Sequence, residues 1–316
     1  MGKIYKARTF VSCYDEWMKL YKVGFIADIT LEKYKNALKF LVDNFGEISI
    51  GQLDRRMYQI ILNKYAENHE KQTVQDFHHQ VKACIKDLYH DGKIELDPTY
   101  KAVIKGCQPR KKKRMKYLQV EELKALVRTL NLGNDINKDW LILIMIKTGV
   151  RFAEALAITP NDFNFASGTL TINKTWNYKD SQNPRFMPTK TIGSVRTIDI
   201  DWQIVGRFAP VIKDLPQDEP IFIEKNKDGG YKRIFNSTIG QFLLNKCEQA
   251  GITKVTLHAL RHTHASVLLS AGSSIFSISK RLGHSNISTT QETYAHILDE
   301  LRAKDNQIMM QTLMSI

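Results

Sequence analysis

"KGCQPRKKKRMKYL" (Lys105–Leu118) is where the chain changes character. A glycine, a proline and the basic residues Arg110, Lys111, Lys112, Lys113, Arg114 and Lys116 crowd into this run. Gly and Pro interrupt regular structure, and a block of like charge repels itself, so the run reads as a linker. A chain of 316 residues can bury a separate core on each side of it. The expected boundaries are 1–105 for a first domain, 106–116 for the linker and 117–316 for a second domain.

Upstream of the linker, from about Thr9 to Ile104, the pattern is helical throughout. "TLEKYKNALKFLVDNFG" (Thr30–Gly46) places Tyr34, Leu38 and Leu41 on one face and stops at a glycine. "TVQDFHHQVKACIKDLYHDG" (Thr73–Gly92) repeats the theme with Phe77, Val81, Cys84, Ile85 and Leu88. Four or five helices packed as a small bundle are expected. Downstream the pattern is mixed. "VEELKALVRTL" and "DWLILIMIKTG" read as helices, the second of them buried. "GTLTINKTW" and "RFMPTKTIGSVRTIDID" alternate with the period of strands, with turns at Ser167-Gly168 and Gly193-Ser194. From Ser237 onward the chain is helical again. Helices around a small antiparallel sheet are the expected second domain.

The composition, 43% apolar and 25% charged, is that of an ordinary globular protein, but the net charge is +13. That excess favours an anionic partner, and nucleic acid fits best. Lys and Arg as closely spaced as those from Arg110 to Lys116 gain affinity along a phosphate backbone by releasing its counterions. A membrane role is not expected: no apolar run reaches spanning length, no signal peptide is visible, and Lys6 stands where a myristoylation signal wants Ser or Thr. The cysteines Cys13, Cys84, Cys107 and Cys247 are scattered, which suits a reducing cytoplasm.

The chemistry concentrates in three segments of the second domain. "LHALRHTHAS" (Leu257–Ser266) holds His258, Arg261, His262 and His264. His258 and His262 are four apart and could reach one ion, but zinc hydrolases need a Glu beside the first His, and here Ala259 follows. His258 and Arg261 are three apart and share a helix face. An imidazole beside a guanidinium is a poor core pair and a good pair for a phosphate. "TGVRFAEALAI" (Thr148–Ile158) puts Arg151 just after a glycine at a helix start, with Glu154 placed to pair with it. "RLGHSNISTTQETYAHI" (Arg281–Ile297) gives His284 after a glycine, then Tyr294.

Taken in order, T-G-x-R, H-x-L-R, L-G-H and a following Tyr resemble the tyrosine recombinase family, the integrases of phages and conjugative transposons. The resemblance covers most of Tyr117 to Leu298. It implies an α-rich α+β fold: a helical-bundle N-terminal core-binding domain, then a mixed catalytic domain of helices around a small antiparallel sheet, the two forming a clamp on DNA. It implies a catalytic set of Arg151, Lys190, His258, Arg261, His284 and Tyr294. Tyr294 would attack phosphorus and form a covalent 3′-phosphotyrosine link. Arg151 and Arg261 would clamp the non-bridging oxygens, and His258 would accept the tyrosine proton. His284 would donate to a phosphate oxygen, and Lys190, on the "PTKTIGSVRTIDI" strand pair (Pro188–Ile200), would protonate the leaving 5′-hydroxyl. Lys174 and Lys179 compete for that last role. His262 and His264 are assigned to packing or polar support.

The covalent link conserves the energy of the broken bond, so no ATP and no metal is expected; the few carboxylates within the motifs also argue against a two-metal nuclease. The partners implied are double-stranded DNA at specific recombination sites, a homotetramer on that DNA and, as a candidate, an excision factor. A bacterial or phage-encoded protein acting on the nucleoid is expected. The tail "LDELRAKDNQIMMQTLMSI" (Leu298–Ile316) is a candidate for exchange between protomers. Many such integrases carry a further N-terminal arm-binding domain. This sequence enters the core-binding pattern at about Thr9, as a two-domain recombinase or a shortened chain would. The alternatives are a type IB topoisomerase, with the same chemistry on one strand, and a catalytically inactive DNA-binding protein.

Overall fold

The computed structural model describes residues 8–108, 117–179, 184–189 and 191–295, together with residues 311 and 314. The expected linker cations Arg110, Lys111, Lys112, Lys113, Arg114 and Lys116 lie outside the described residues, as does Lys190. The chain divides into two compact units, residues 1–113 and 114–316.

The first unit is helical: α1 (Phe10–Tyr21), α2 (Asp28–Phe45), α3 (Arg55–Ala66) and α4 (Lys71–His90). Thr9 and Asp54 cap α1 and α3 by accepting from free amides of the first turn. The apolar stripe read from α4 is buried as expected: Phe77, Val81, Cys84, Ile85 and Leu88 all face the core, joined by Val74. In α2, Leu41 is fully buried while Tyr34 and Leu38 pack at the core's edge. Two polar contacts cross this bundle. Trp17 Nε1 donates to Asp87 at 2.6 Å, tying α1 to α4, and the Tyr58 hydroxyl meets His78 Nδ1 at 2.8 Å.

The second unit begins with α5 (Val120–Arg128), α6 (Lys138–Thr148) and the short α7 (Phe152–Leu156). Helix α6 is apolar on every side, with every residue from Trp140 to Ile146 buried, so it forms the axis on which the rest packs. Five short strands follow: β1 (Phe163–Asn164), β2 (Thr169–Ile172), β3 (Lys174–Trp176), β4 (Phe186–Pro188) and β5 (Arg196–Asp199). They form two antiparallel sheets, ordered β1-β2-β5 and β3-β4. The stretch "GTLTINKTW" is therefore two strands, broken at Asn173, and each takes a different partner. The expected strand pair within Pro188–Ile200 needs correction as well. β4 ends at Pro188, which has no amide to donate, and β5 pairs with β2, so the two strands do not pair with each other. Helices α8 (Trp202–Ile212), α9 (Asn236–Gln249), α10 (Leu257–Ser270) and α11 (Ile275–Leu282) complete the unit, followed by α12, described over residues 287–295. Among the described residues no helix is long and apolar enough to cross a membrane.

Candidate active site

Helix α10 carries the densest chemistry, and its register is set by Thr256, whose hydroxyl accepts from the Ala259 amide at the N-cap. That register turns Arg261 inward, where it is 2% exposed. Its guanidinium donates from Nη1 to the Gly149 carbonyl at 2.8 Å and from Nη2 to the Leu282 carbonyl at 2.6 Å. These are carbonyls at the C-terminal ends of α6 and α11, so one side chain ties three helices together. Burial first, then the nearby Arg151, pulls the Arg261 pKa down to about 9. The group is still a cation at neutral pH.

The glycines of the two short motifs have a structural reason. Gly149 caps α6 at φ +67°, and a Cβ there would lie 2.6 Å from the His264 ring. Gly283 caps α11 at φ +69°, and its Cβ would lie 2.9 Å from Arg196 Nη1. Left-handed backbone and close approach both call for glycine. The chain then leaves each helix directly into a functional residue, Arg151 in one case and His284 in the other.

Arg151 is held by Glu154. Its Nη1 donates to Glu154 Oε1 at 2.6 Å, and its backbone amide donates to Oε2 at 2.9 Å, as the sequence spacing suggested. Glu154 is 2% exposed and also accepts from Arg196 Nη2 at 2.9 Å. Burial alone would raise its pKa, but Arg196 and Arg151 more than offset this and hold the carboxylate below its usual range. Arg196 in turn donates from Nε to the Arg281 carbonyl at 2.7 Å. The Arg281 side chain donates from Nε to His264 Nε2 at 2.9 Å, while His264 Nδ1 meets the Ile146 carbonyl at 2.9 Å. His264 is thus polar support, as expected. Arg196 and Arg281 were not singled out in the sequence.

His284 joins the same cluster. Burial, then Arg261, Arg151 and Arg196, lowers its pKa to about 4, so the imidazole is neutral. Its Nδ1 meets the Thr290 hydroxyl at 2.7 Å, which fixes the ring and leaves Nε2 free to turn toward the site. Thr290, fully buried, is a functional residue that sequence reasoning missed. The signal was its position four residues before Tyr294, on the same face of α12.

Tyr294 is 1% exposed, and burial raises its pKa to about 12 against the opposing pull of Arg261. Its hydroxyl lies 3.0 Å from His262 Nδ1. The resemblance gives the tyrosine proton to His258, with His262 assigned to packing or polar support, and the structure puts His262 in hydrogen-bond contact with that hydroxyl. His258 is exposed, and its ring meets His262 edge-on at 4.7 Å between centroids. Shielding from water, then Arg261 and Arg151, lowers the His258 pKa. The sequence could not distinguish the two histidines, because they stand one turn apart on one helix and their rings meet. Lys174 is engaged by Asp162 at 2.5 Å. The described neighbours of Lys190 reach the site: Gly193 and Ser194 lie against Ser285 and Gly283, beside His284. Among the described residues, no three His, Cys, Asp or Glu side chains converge as metal ligands would.

Four buried or half-buried arginines and one buried carboxylate make this a cationic site with a tyrosine at its floor. Residues 116–300 match the model of the phage integrase family. The chain belongs to the phage integrase family. It is a tyrosine-type site-specific DNA recombinase, and its relatives carry such names. The integrase of Staphylococcus phage L54a is 26% identical over 94% of this chain and 91% of its own length. The ICEBs1 integrase of Bacillus subtilis is 27% identical over 60% of this chain and 52% of its own. Among solved structures, the Tn1549 transposon integrase in complex with transposon right end DNA superposes with a TM-score of 0.75. That match is 18% identical and covers 95% of this recombinase and 99% of that chain, which establishes the shared fold. A lambda integrase dimer bound to a core site gives a TM-score of 0.64 at 13% identity, over 92% and 78% of the two chains.

Proposed function

We propose that this recombinase integrates or excises a mobile element by cutting and rejoining DNA through a covalent 3′-phosphotyrosine link at Tyr294. The observation that carries this reading is the placement of the Tyr294 hydroxyl against His262 in a pocket governed by Arg261. Attack on a phosphodiester builds negative charge on the non-bridging oxygens. Preorganised cations are worth most there, because they need not reorganise as the charge develops. Arg261 and Arg151 are preorganised, the first by two carbonyls and the second by Glu154. His284, oriented by Thr290, supplies a neutral N–H for a phosphate oxygen. His258 flanks the phosphate from the solvent side of α10. Lys190 protonates the departing 5′ oxygen, a role supported by the approach of Gly193 and Ser194 to the His284 segment.

Neither a metal nor ATP takes part in this scheme. The substrate is duplex DNA at a specific site, gripped in part by Arg110, Lys111, Lys112, Lys113, Arg114 and Lys116. Four copies act together on two sites, and an excision factor biases the direction.

A nicked suicide substrate, which traps the covalent intermediate by letting the short 5′ strand diffuse away, tests the reading. The native protein is expected to accumulate adduct in EDTA, and Tyr294→Phe to form none while binding DNA with unchanged affinity. Adducts in Tyr294→Phe would remove Tyr294 as the nucleophile. Joining of two partner sites by the native protein separates a recombinase from a topoisomerase.

A further inference from the structure

We propose that His262 is the base of the reaction: its Nδ1 takes the proton of Tyr294 as the tyrosine attacks and returns it when the strand is rejoined. This rests on Tyr294 being the nucleophile. Tyr294 Oη lies 3.0 Å from His262 Nδ1. General-base catalysis requires hydrogen-bond reach before anything else.

Tyr294 needs such a partner. With its pKa pushed up to about 12, only about one molecule in 10⁵ is ionised at pH 7. The proton must therefore leave as the bond to phosphorus forms, into an acceptor already in contact. His262 is ready to accept. Burial, then His258 and Arg261, lowers its pKa to about 4, so Nδ1 can offer a lone pair at neutral pH. The charged and titratable groups around it are His258 and Arg261 on α10, His284 after α11 and Tyr294 on α12. All of these are neutral or cationic, so a proton on His262 is unwelcome until an anion arrives. A DNA phosphate placed among Arg261, Arg151 and His284 is that anion, and it makes His262 more basic at the moment its basicity is needed. The arrangement keeps the nucleophile protonated in the absence of DNA.

The step balances. The Tyr294 Oη–H bond breaks, the proton goes to His262 Nδ1, the Oη–phosphorus bond forms and the bond from phosphorus to the 5′ oxygen breaks. That oxygen takes its proton from Lys190. Rejoining runs the same transfers in reverse, with protonated His262 as the acid that releases the tyrosine.

Single-turnover cleavage of the suicide substrate by His262→Gln and His258→Gln, each with tyrosine or with a more acidic fluorinated tyrosine at position 294, tests the assignment. His262→Gln is expected to cut about 10²-fold more slowly with DNA affinity intact, and its rate to rise toward higher pH than the native one. Fluorotyrosine should recover most of that loss, since a more acidic nucleophile depends less on its base. It should not recover the loss in His258→Gln. A native rate in His262→Gln overturns the proposal. So does a loss that fluorotyrosine fails to recover in a His262→Gln protein that binds DNA with native affinity. Rescue confined to His258→Gln would transfer the role to His258. Tyr294→Phe run alongside separates the two levels: adducts there would end the nucleophile assignment itself, whereas their absence beside a native His262→Gln rate would end only this one.

Discussion

Glu154 shows how much of the site depends on a single buried charge. It lies between Arg151 and Arg196 and neutralises part of the repulsion between them. Glu154→Gln keeps the shape and removes the charge, so two guanidinium groups face an amide. A cost of about 3 kcal/mol to the 114–316 unit is expected at pH 7, the usual scale for breaking a buried ion pair. The sign with pH follows from the lowered pKa. A carboxylate whose folded pKa lies below its unfolded one stabilises above the unfolded value, and that stability is lost as pH falls through the folded value. Denaturant midpoints of the two proteins should therefore differ most at neutral pH and converge in acid. A gap that stays constant down to pH ~3 would show that the charge is not what matters.

At the scale of elements, the site is built where helices end. Gly149 and Gly283 stop α6 and α11 and deliver Arg151 and His284. Gly149→Ala must place a Cβ at positive φ and against the His264 ring. A loss of about 1–3 kcal/mol is expected from the backbone strain, and a further fall in cleavage because the Gly149 carbonyl holds Arg261. Thermal unfolding and suicide-substrate cleavage read the two effects separately. This level was only partly legible in the sequence. The ordered motifs picked out Arg151, Arg261, His284 and Tyr294 through the resemblance of the whole set to the family's. The contact of His262 with Tyr294 did not stand out, because it joins α10 to α12 across 32 residues and depends on how two helices rotate against each other. Arg196 and Arg281 did not stand out in the sequence, and only their carbonyl and carboxylate partners show what they hold. The break of one alternating run into β2 and β3 was hidden because alternation continues through Asn173.

For the molecule as a whole, the charge was legible from composition alone. A net charge of +13 and the run from Arg110 to Lys116 point to a polyanion, and neither depends on the fold. Replacing Lys111, Lys112, Lys113 and Arg114 by Ser should flatten the salt dependence of DNA binding by about 0.9 of a unit of slope for each phosphate no longer neutralised. Titrations at several salt concentrations measure that slope, and an unchanged value would mean that the run does not touch the DNA backbone. Cleavage of DNA already bound should change little, since none of these residues belongs to the proposed catalytic set.

Because Arg261 closes the ends of α6 and α11 with its own hydrogen bonds, the charge meant for DNA is also a rivet of the fold. Degenerate copies of such a gene can lose Tyr294 and still encode a folded protein, since a phenylalanine fills nearly the same space. They cannot lose Arg261 as cheaply. In a set of related reading frames, an arginine at this position therefore reports that the protein folds, and only the tyrosine reports that it still cuts.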